Sequence, residues 1–215
     1  MRQEFFKRLI SSIILISIII FIVFRGPIFL NLFILICFII SLYEWHQMKK
    51  NNIHYFLGIF FIILSFYSAY SLSNYEGNYT FFIFILLICI STDLGGYFFG
   101  KIFKGKKLTK ISPNKTYSGM MGSFILSILF SYFFLELTDM FPSLKFNSAN
   151  ILIFILLISF VSQIGDIIIS FFKRKSKIKN TGNIIPGHGG LLDRIDGMIF
   201  AFPFGYLLLS LEILN

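Results

Sequence analysis

The sequence predicts an all-α fold, a polytopic transmembrane helix bundle of about seven spans with a cavity open to the cytoplasmic side. Three observations predict it. Of 215 residues, 56% are hydrophobic and only 13% charged, and mean hydropathy is +0.82, whereas soluble domains carry about 25% charged residues. A chain this short cannot bury so much apolar surface in a water-soluble core, so lipid is part of its solvent. The apolar runs are continuous rather than alternating, which selects helices over a barrel. Finally, Lys and Arg concentrate in alternate connections between the runs, as a multi-span topology requires.

Taken in order, the first run is 9–24. Its basic flank resembles that of a signal peptide, but no small-residue cleavage site follows, so it is read as a retained span. "RGP" at 25–27 makes a tight turn into the second run, 28–43. Runs 55–72, 80–100, 119–136, 150–172 and 196–213 complete the set, several near the short end of the usual ~17–25 residues. The N-terminus carries Arg2, Lys7 and Arg8, and the 44–54 connection carries Lys49 and Lys50. Loop 101–118 holds Lys101, Lys104, Lys106, Lys107, Lys110 and Lys115, while 173–195 holds Lys173, Arg174, Lys175, Lys177, Lys179 and Arg194. Of the 19 Lys and Arg, only Arg25 and Lys145 fall on the other side. The positive-inside rule then places the N-terminus in the cytoplasm and the C-terminus opposite. The chain divides into N-terminal transmembrane helices, 1–78, and a C-terminal transmembrane catalytic region, 79–215, with cytoplasmic loops 101–118 and 173–195.

The net charge of +9 is mostly topology, plus attraction to anionic headgroups worth ~1 kcal/mol per basic residue near the surface. No nucleic-acid-binding motif accompanies it, so nucleic acid is not an expected partner. Cys37 and Cys89 lie inside apolar runs and read as small buried hydrophobes. The aromatic content of 19%, Glu44-Trp45 included, reads as interfacial anchoring and packing.

Candidate chemistry sits in two basic segments. Asp93 and Asp166 each lie within an apolar run, where an ionised carboxylate costs ~2.5–3.5 kcal/mol on insertion scales and usually faces a polar cavity. Their bland alternative is an interhelical hydrogen bond. Asp193 and Asp196, three apart at the start of the last run, share one face if helical. Carboxylates so placed suit a hard cation such as Mg²⁺, which prefers oxygen ligands and bridges to phosphates. Arg194 and the nearby lysines would repel a bare cation but fit polyphosphate arriving with it. Gly187, Gly189 and Gly190 let backbone N–H groups approach phosphate, with His188 either functional or a loop hydrogen-bonder. In "SPNKT", Ser112, Lys115 and Thr116 follow a Pro-directed turn.

These residues carry a resemblance. "SFFKRKSKIKNTGNIIPGHGGLLDRIDG", with "ISPNKT" and "TDLGGYFFGK" upstream, resembles the signature of the phosphatidate cytidylyltransferase (CDP-diglyceride synthase) family. The likeness covers the C-terminal part of the chain, while the N-terminal spans share only hydrophobicity and "YEW". Asn180, Ser118 and Gly197 depart from the family pattern. The resemblance implies transfer of CMP from CTP to phosphatidate, giving CDP-diacylglycerol and pyrophosphate, in the bacterial inner membrane. It implies Mg²⁺, with K⁺ as a candidate second cation, and a homodimer. Asp166, Asp193, Lys173 and Arg194 are the expected catalytic residues, and Asp166, Asp193, Asp196 and Asp93 the expected metal ligands. Ser112, Lys115, Thr116, Arg174, Lys179, Gly187, His188, Gly189 and Gly190 are expected at the substrate. Competing readings are an ion-coupled transporter, a CDP-alcohol phosphotransferase (whose denser Asp pattern is missing) and an inactive relative acting as a scaffold.

Overall fold

The computed structural model describes residues 17, 19, 21–22, 25–48, 52–75, 79–109, 112, 115–137, 148–187 and 189–211. The described residues are helical apart from turns, loops and two isolated β-bridges. In chain order the helices are α1 (Pro27–Gln47), α2 (Asn52–Ser73), α3 (Thr80–Phe103), α4 (Tyr117–Leu137), α5 (Ser148–Lys175), α6 (Leu192–Ile195) and α7 (Met198–Ser210). The predicted 9–24 span falls mostly outside the described residues.

Among the described residues, five helices, α1 to α5, are long and apolar enough to cross a membrane. Their outward faces carry large bare hydrophobics such as Ile28, Ile39, Phe56 and Leu129, which a water-facing surface would not tolerate in such numbers. Gly26 breaks the chain ahead of α1 with φ +97, and Pro27 fills the first helical turn where its missing N–H costs nothing. At 28 residues, α5 extends about 42 Å against a hydrocarbon core of about 30 Å. Its last turn, with Lys173, Arg174 and Lys175, therefore projects past the apolar layer.

The run at 196–213 behaves differently from expectation. α7 has 13 residues, about 20 Å, too short to span alone. It continues from α6, because Asp196 and Gly197 keep right-handed helical dihedrals. Together they form one rod from 192 to 210, about 28 Å long. Helix formation thus starts four residues earlier than the hydrophobicity does, which carries Asp193 and Asp196 on the rod itself.

The bundle's tightest pair is α3 with α4. A Cβ at Gly95 would lie 2.3 Å from the Gly122 carbonyl oxygen, and one at Gly119 would lie 2.7 Å from that of Gly96. The two backbones touch because both helices present glycine at the seam, the packing device of lipid-embedded helices. Ser123 Oγ donates across the seam to Thr92 O (2.7 Å), and Thr92 Oγ1 donates on to Ser159 Oγ of α5 (2.8 Å). The glycines after Asp93 therefore serve helix contact. At the far side, α7 packs on α2 and α5 and also touches α3, where Phe82 of α3 and Phe202 are stacked at 5.1 Å.

Candidate active site

The C-terminal ends of α3 and α5, the N-terminal end of α4 and the rod from 192 meet at one end of the bundle. Between them lies a hollow of about 330 Å³ lined by Asp93, Ser112, Lys115, Thr116, Gln163, Asp166, Asp193, Arg194 and Asp196, among others. Each side chain arrives there for a local reason. The loop after α3 turns at Lys104 and Gly105, both at positive φ, and returns through an antiparallel bridge between Lys107 and Thr116. Leu108 N donates to Lys115 O (2.8 Å), and Tyr117 N to Lys106 O (3.1 Å). Thr116 then caps α4, its Oγ1 accepting from Gly119 N at 3.1 Å. That sequence of turns fixes Lys115 over α5, where Nζ pairs with Asp166 Oδ2 at 2.5 Å and donates to Gln163 O at 3.2 Å.

Four carboxylates line this hollow from three elements: Asp93 from α3, Asp166 from α5, and Asp193 and Asp196 from the rod. Asp166 and Asp196 lie within mutual hydrogen-bonding reach, and Asp93 is close enough to interact with the charges of Asp166, Lys115 and Arg194. Gly197 permits this approach. A Cβ there would lie 2.4 Å from Ser162 Oγ and 2.8 Å from Ser162 O. Among the described residues no three His, Cys, Asp or Glu converge into a ready-made cation cage. The donor set nevertheless suits Mg²⁺, which keeps several waters and takes one or two carboxylates plus substrate phosphates. Gln163 Nε2 is buried without a hydrogen-bond partner, so a donor remains for an anionic ligand filling the hollow.

Asp193 is used more heavily by the protein itself. Its Oδ1 accepts from Lys173 Nζ (2.9 Å), and its Oδ2 accepts from Thr181 N (2.8 Å) and Gly190 N (3.0 Å). Lys173 is nearly buried and bridges Asp193 to Asp196, the second contact at 3.4 Å. The glycines of 187–190 divide by role. Gly189 N donates to Ile185 O and Gly190 N to Asp193, so these two amides have protein acceptors where phosphate was expected. Gly189, at φ +90, could carry no side chain, since a Cβ would lie 2.6 Å from Asp193 Oδ2. Gly187 is exposed, and His188 lies outside the described residues. Arg174 donates to Ile178 O at 3.2 Å; it and Lys179 are exposed and lie outside the hollow's lining.

Sequence reasoning gave Glu44, within "YEW", only an anchoring and packing role. Its carboxylate, 1% exposed, accepts from Leu191 N (2.8 Å), Leu192 N (2.9 Å) and Thr181 Oγ1 (2.9 Å). The signal available was a lone acid at the end of an apolar run, beside a Trp.

A spanning bundle with an ionic hollow at one end defines an integral membrane protein with a polar site at the edge of its apolar layer. A model of the "Cytidylyltransferase family" matches residues 50–212. A phosphatidate cytidylyltransferase of Rickettsia typhi is 34% identical over 213 residues, covering 94% of this chain and 90% of that protein. One from Rickettsia bellii is 34% identical over 214 residues, covering 94% and 89%. One from Bacillus subtilis is 38% identical over 133 residues, covering 61% and 48%. The chain belongs to the cytidylyltransferase family.

Proposed function

We infer that the protein is a phosphatidate cytidylyltransferase, forming CDP-diacylglycerol and pyrophosphate from CTP and phosphatidate. The observation that carries the reading is the juxtaposed pair Asp166 and Asp196 beside Lys115, at the loop end of a spanning bundle. Such a place serves a lipid that stays in the membrane and a nucleotide that arrives from water.

A phosphatidate oxygen forms a bond to the α-phosphorus of CTP as the bond from that phosphorus to the bridging oxygen breaks. Negative charge collects on departing pyrophosphate. The nucleophile is already ionised, so no strong general base is required. The difficulty is holding two anions together, which positioning and fixed positive charge address. Lys115 and Arg194 supply charge within the hollow, Ser112, Thr116 and Gln163 supply hydrogen bonds, and Lys173 neutralises the acids behind it. One or two of Asp93, Asp166 and Asp196 would hold Mg²⁺ together with substrate phosphates, with Asp193 at their edge, and the ion would supply charge neutralisation there. K⁺ belongs to the same reading as a second cation. So do the bacterial inner membrane, seven spans with a cytoplasmic N-terminus and opposite C-terminus, the hollow on the cytoplasmic side, and a homodimer. The lysine-rich 101–118 and 173–195 segments at the hollow's end support that orientation.

The test is direct. Purified protein with labelled CTP, phosphatidate and Mg²⁺ yields labelled CDP-diacylglycerol. Pyrophosphate release without lipid product contradicts the assignment, as does inactivity of well-folded protein.

A further inference from the structure

We propose that Glu44 is a positioning residue for the catalytic loop, so that α1 belongs to the working site although it lies outside the segment matched by the family model. The inference rests on the functional reading above and adds to it a residue from the N-terminal region. Glu44 sits one turn from the end of α1 and is buried, yet among the described residues no Lys or Arg pairs with it. Its charge is held by directed donors alone: two consecutive backbone amides, Leu191 and Leu192, and the Thr181 hydroxyl. A buried carboxylate satisfied this way fixes orientation, because each oxygen has a defined partner and removal leaves N–H groups stranded.

The protein surrounds this contact with absences of bulk. A Cβ at Gly190 would lie 2.4 Å from Glu44 Oε2, and one at Gly182 would lie 2.9 Å from Oε1. The acid itself is immobilised by its neighbour. Trp45 is fully buried, donates to Tyr55 O at 3.1 Å, and stands edge-on to Phe172 of α5 at 5.6 Å. From Glu44 the connection to the hollow is short. The same Thr181 that Glu44 holds gives its backbone N–H to Asp193, and Asp193 holds Lys173 against Asp196. Glu44 thus places the loop that places Asp193.

Glu44→Gln keeps the shape while turning one acceptor into a donor. Backbone hydrogen exchange reads the loop independently of turnover. In Glu44→Gln the amides of 181–192 should exchange about tenfold faster or more, with α3 and α4 unchanged. In CDP-diacylglycerol synthesis kcat should fall about tenfold or more, with a smaller change in the KM for CTP. Glu44→Asp, one methylene short, should lose activity too. Exchange at 181–192 equal to wild type, faster exchange spread evenly over the chain, or an unchanged kcat overturns the proposal. If wild-type protein makes no CDP-diacylglycerol, the functional reading fails while the exchange comparison still decides the role of Glu44.

Discussion

At the scale of single residues, the acids in the apolar runs are distinguished by their neighbours. Asp166 has Lys115 on one oxygen and Ser170 Oγ at 3.3 Å from the other, so Asp166→Asn keeps the volume and removes the charge. Turnover should fall by about two orders of magnitude with the protein still folded, a loss typical of removing one electrostatic element from a reacting centre; rates near wild type would take Asp166 out of the reaction. Lys173→Met should act chiefly on stability. It leaves Asp193 and Asp196 without their shared cation, an imbalance worth about 3–5 kcal/mol when a buried ion pair loses one partner, and a lowered thermal midpoint in detergent measures it. Asp93 and Asp166 were legible in the sequence because charge inside hydrocarbon is conspicuous, and Lys115 because it follows the Pro-directed turn of "SPNKT". The internal use of Asp193, the pairing of Asp166 with Asp196 and the role of Glu44 were not. Each depends on a partner brought near by folding, and Glu44 looked like an ordinary residue of the interface.

At the scale of helices, the α3–α4 seam makes a graded prediction from a single chemical change. A methyl group at Gly95 meets main-chain atoms at 2.3 Å, whereas at Gly100 the nearest atom is Thr116 Oγ1 at 3.2 Å. Gly95→Ala should destabilise by about 1–3 kcal/mol and cost activity, since it wedges apart the elements carrying Asp93 and Lys115. Gly100→Ala should be close to neutral in both thermal midpoint and turnover. Equal effects at the two positions would contradict the seam. Five of the predicted runs were readable in order and nearly in extent, because among the described residues they form helices long and apolar enough to cross a membrane. What hydrophobicity could not reveal was the origin of the last rod. Leu191 to Gly197 is too polar to look membrane-bound, yet it adopts helical dihedrals and delivers two acids. Nor could composition say why Gly96 and Gly100 are four apart, although small residues at that spacing within an apolar run are a recognisable contact signal.

At the scale of the whole molecule, the basic connections, the hollow and the ends of α3 and α5 share one face. Chelation of divalent ions should abolish CDP-diacylglycerol formation, and added Mg²⁺ should restore it; turnover that survives chelation would remove the metal from the mechanism. A cysteine placed at the exposed Lys107 should react with membrane-impermeant reagents only from the cytoplasmic side. Glu44 also has a consequence for how the protein is made. Its amide partners Leu191 and Leu192 follow it by 147 and 148 residues, roughly seven to thirty seconds of translation at about 5–20 residues per second. Throughout that interval the ribosome has yet to deliver the groups that will receive the acid, so nascent chains must park it among headgroups and water. The clasp closes only near the end of synthesis, and a polypeptide released prematurely would hold its first helices without ever acquiring the shape that works.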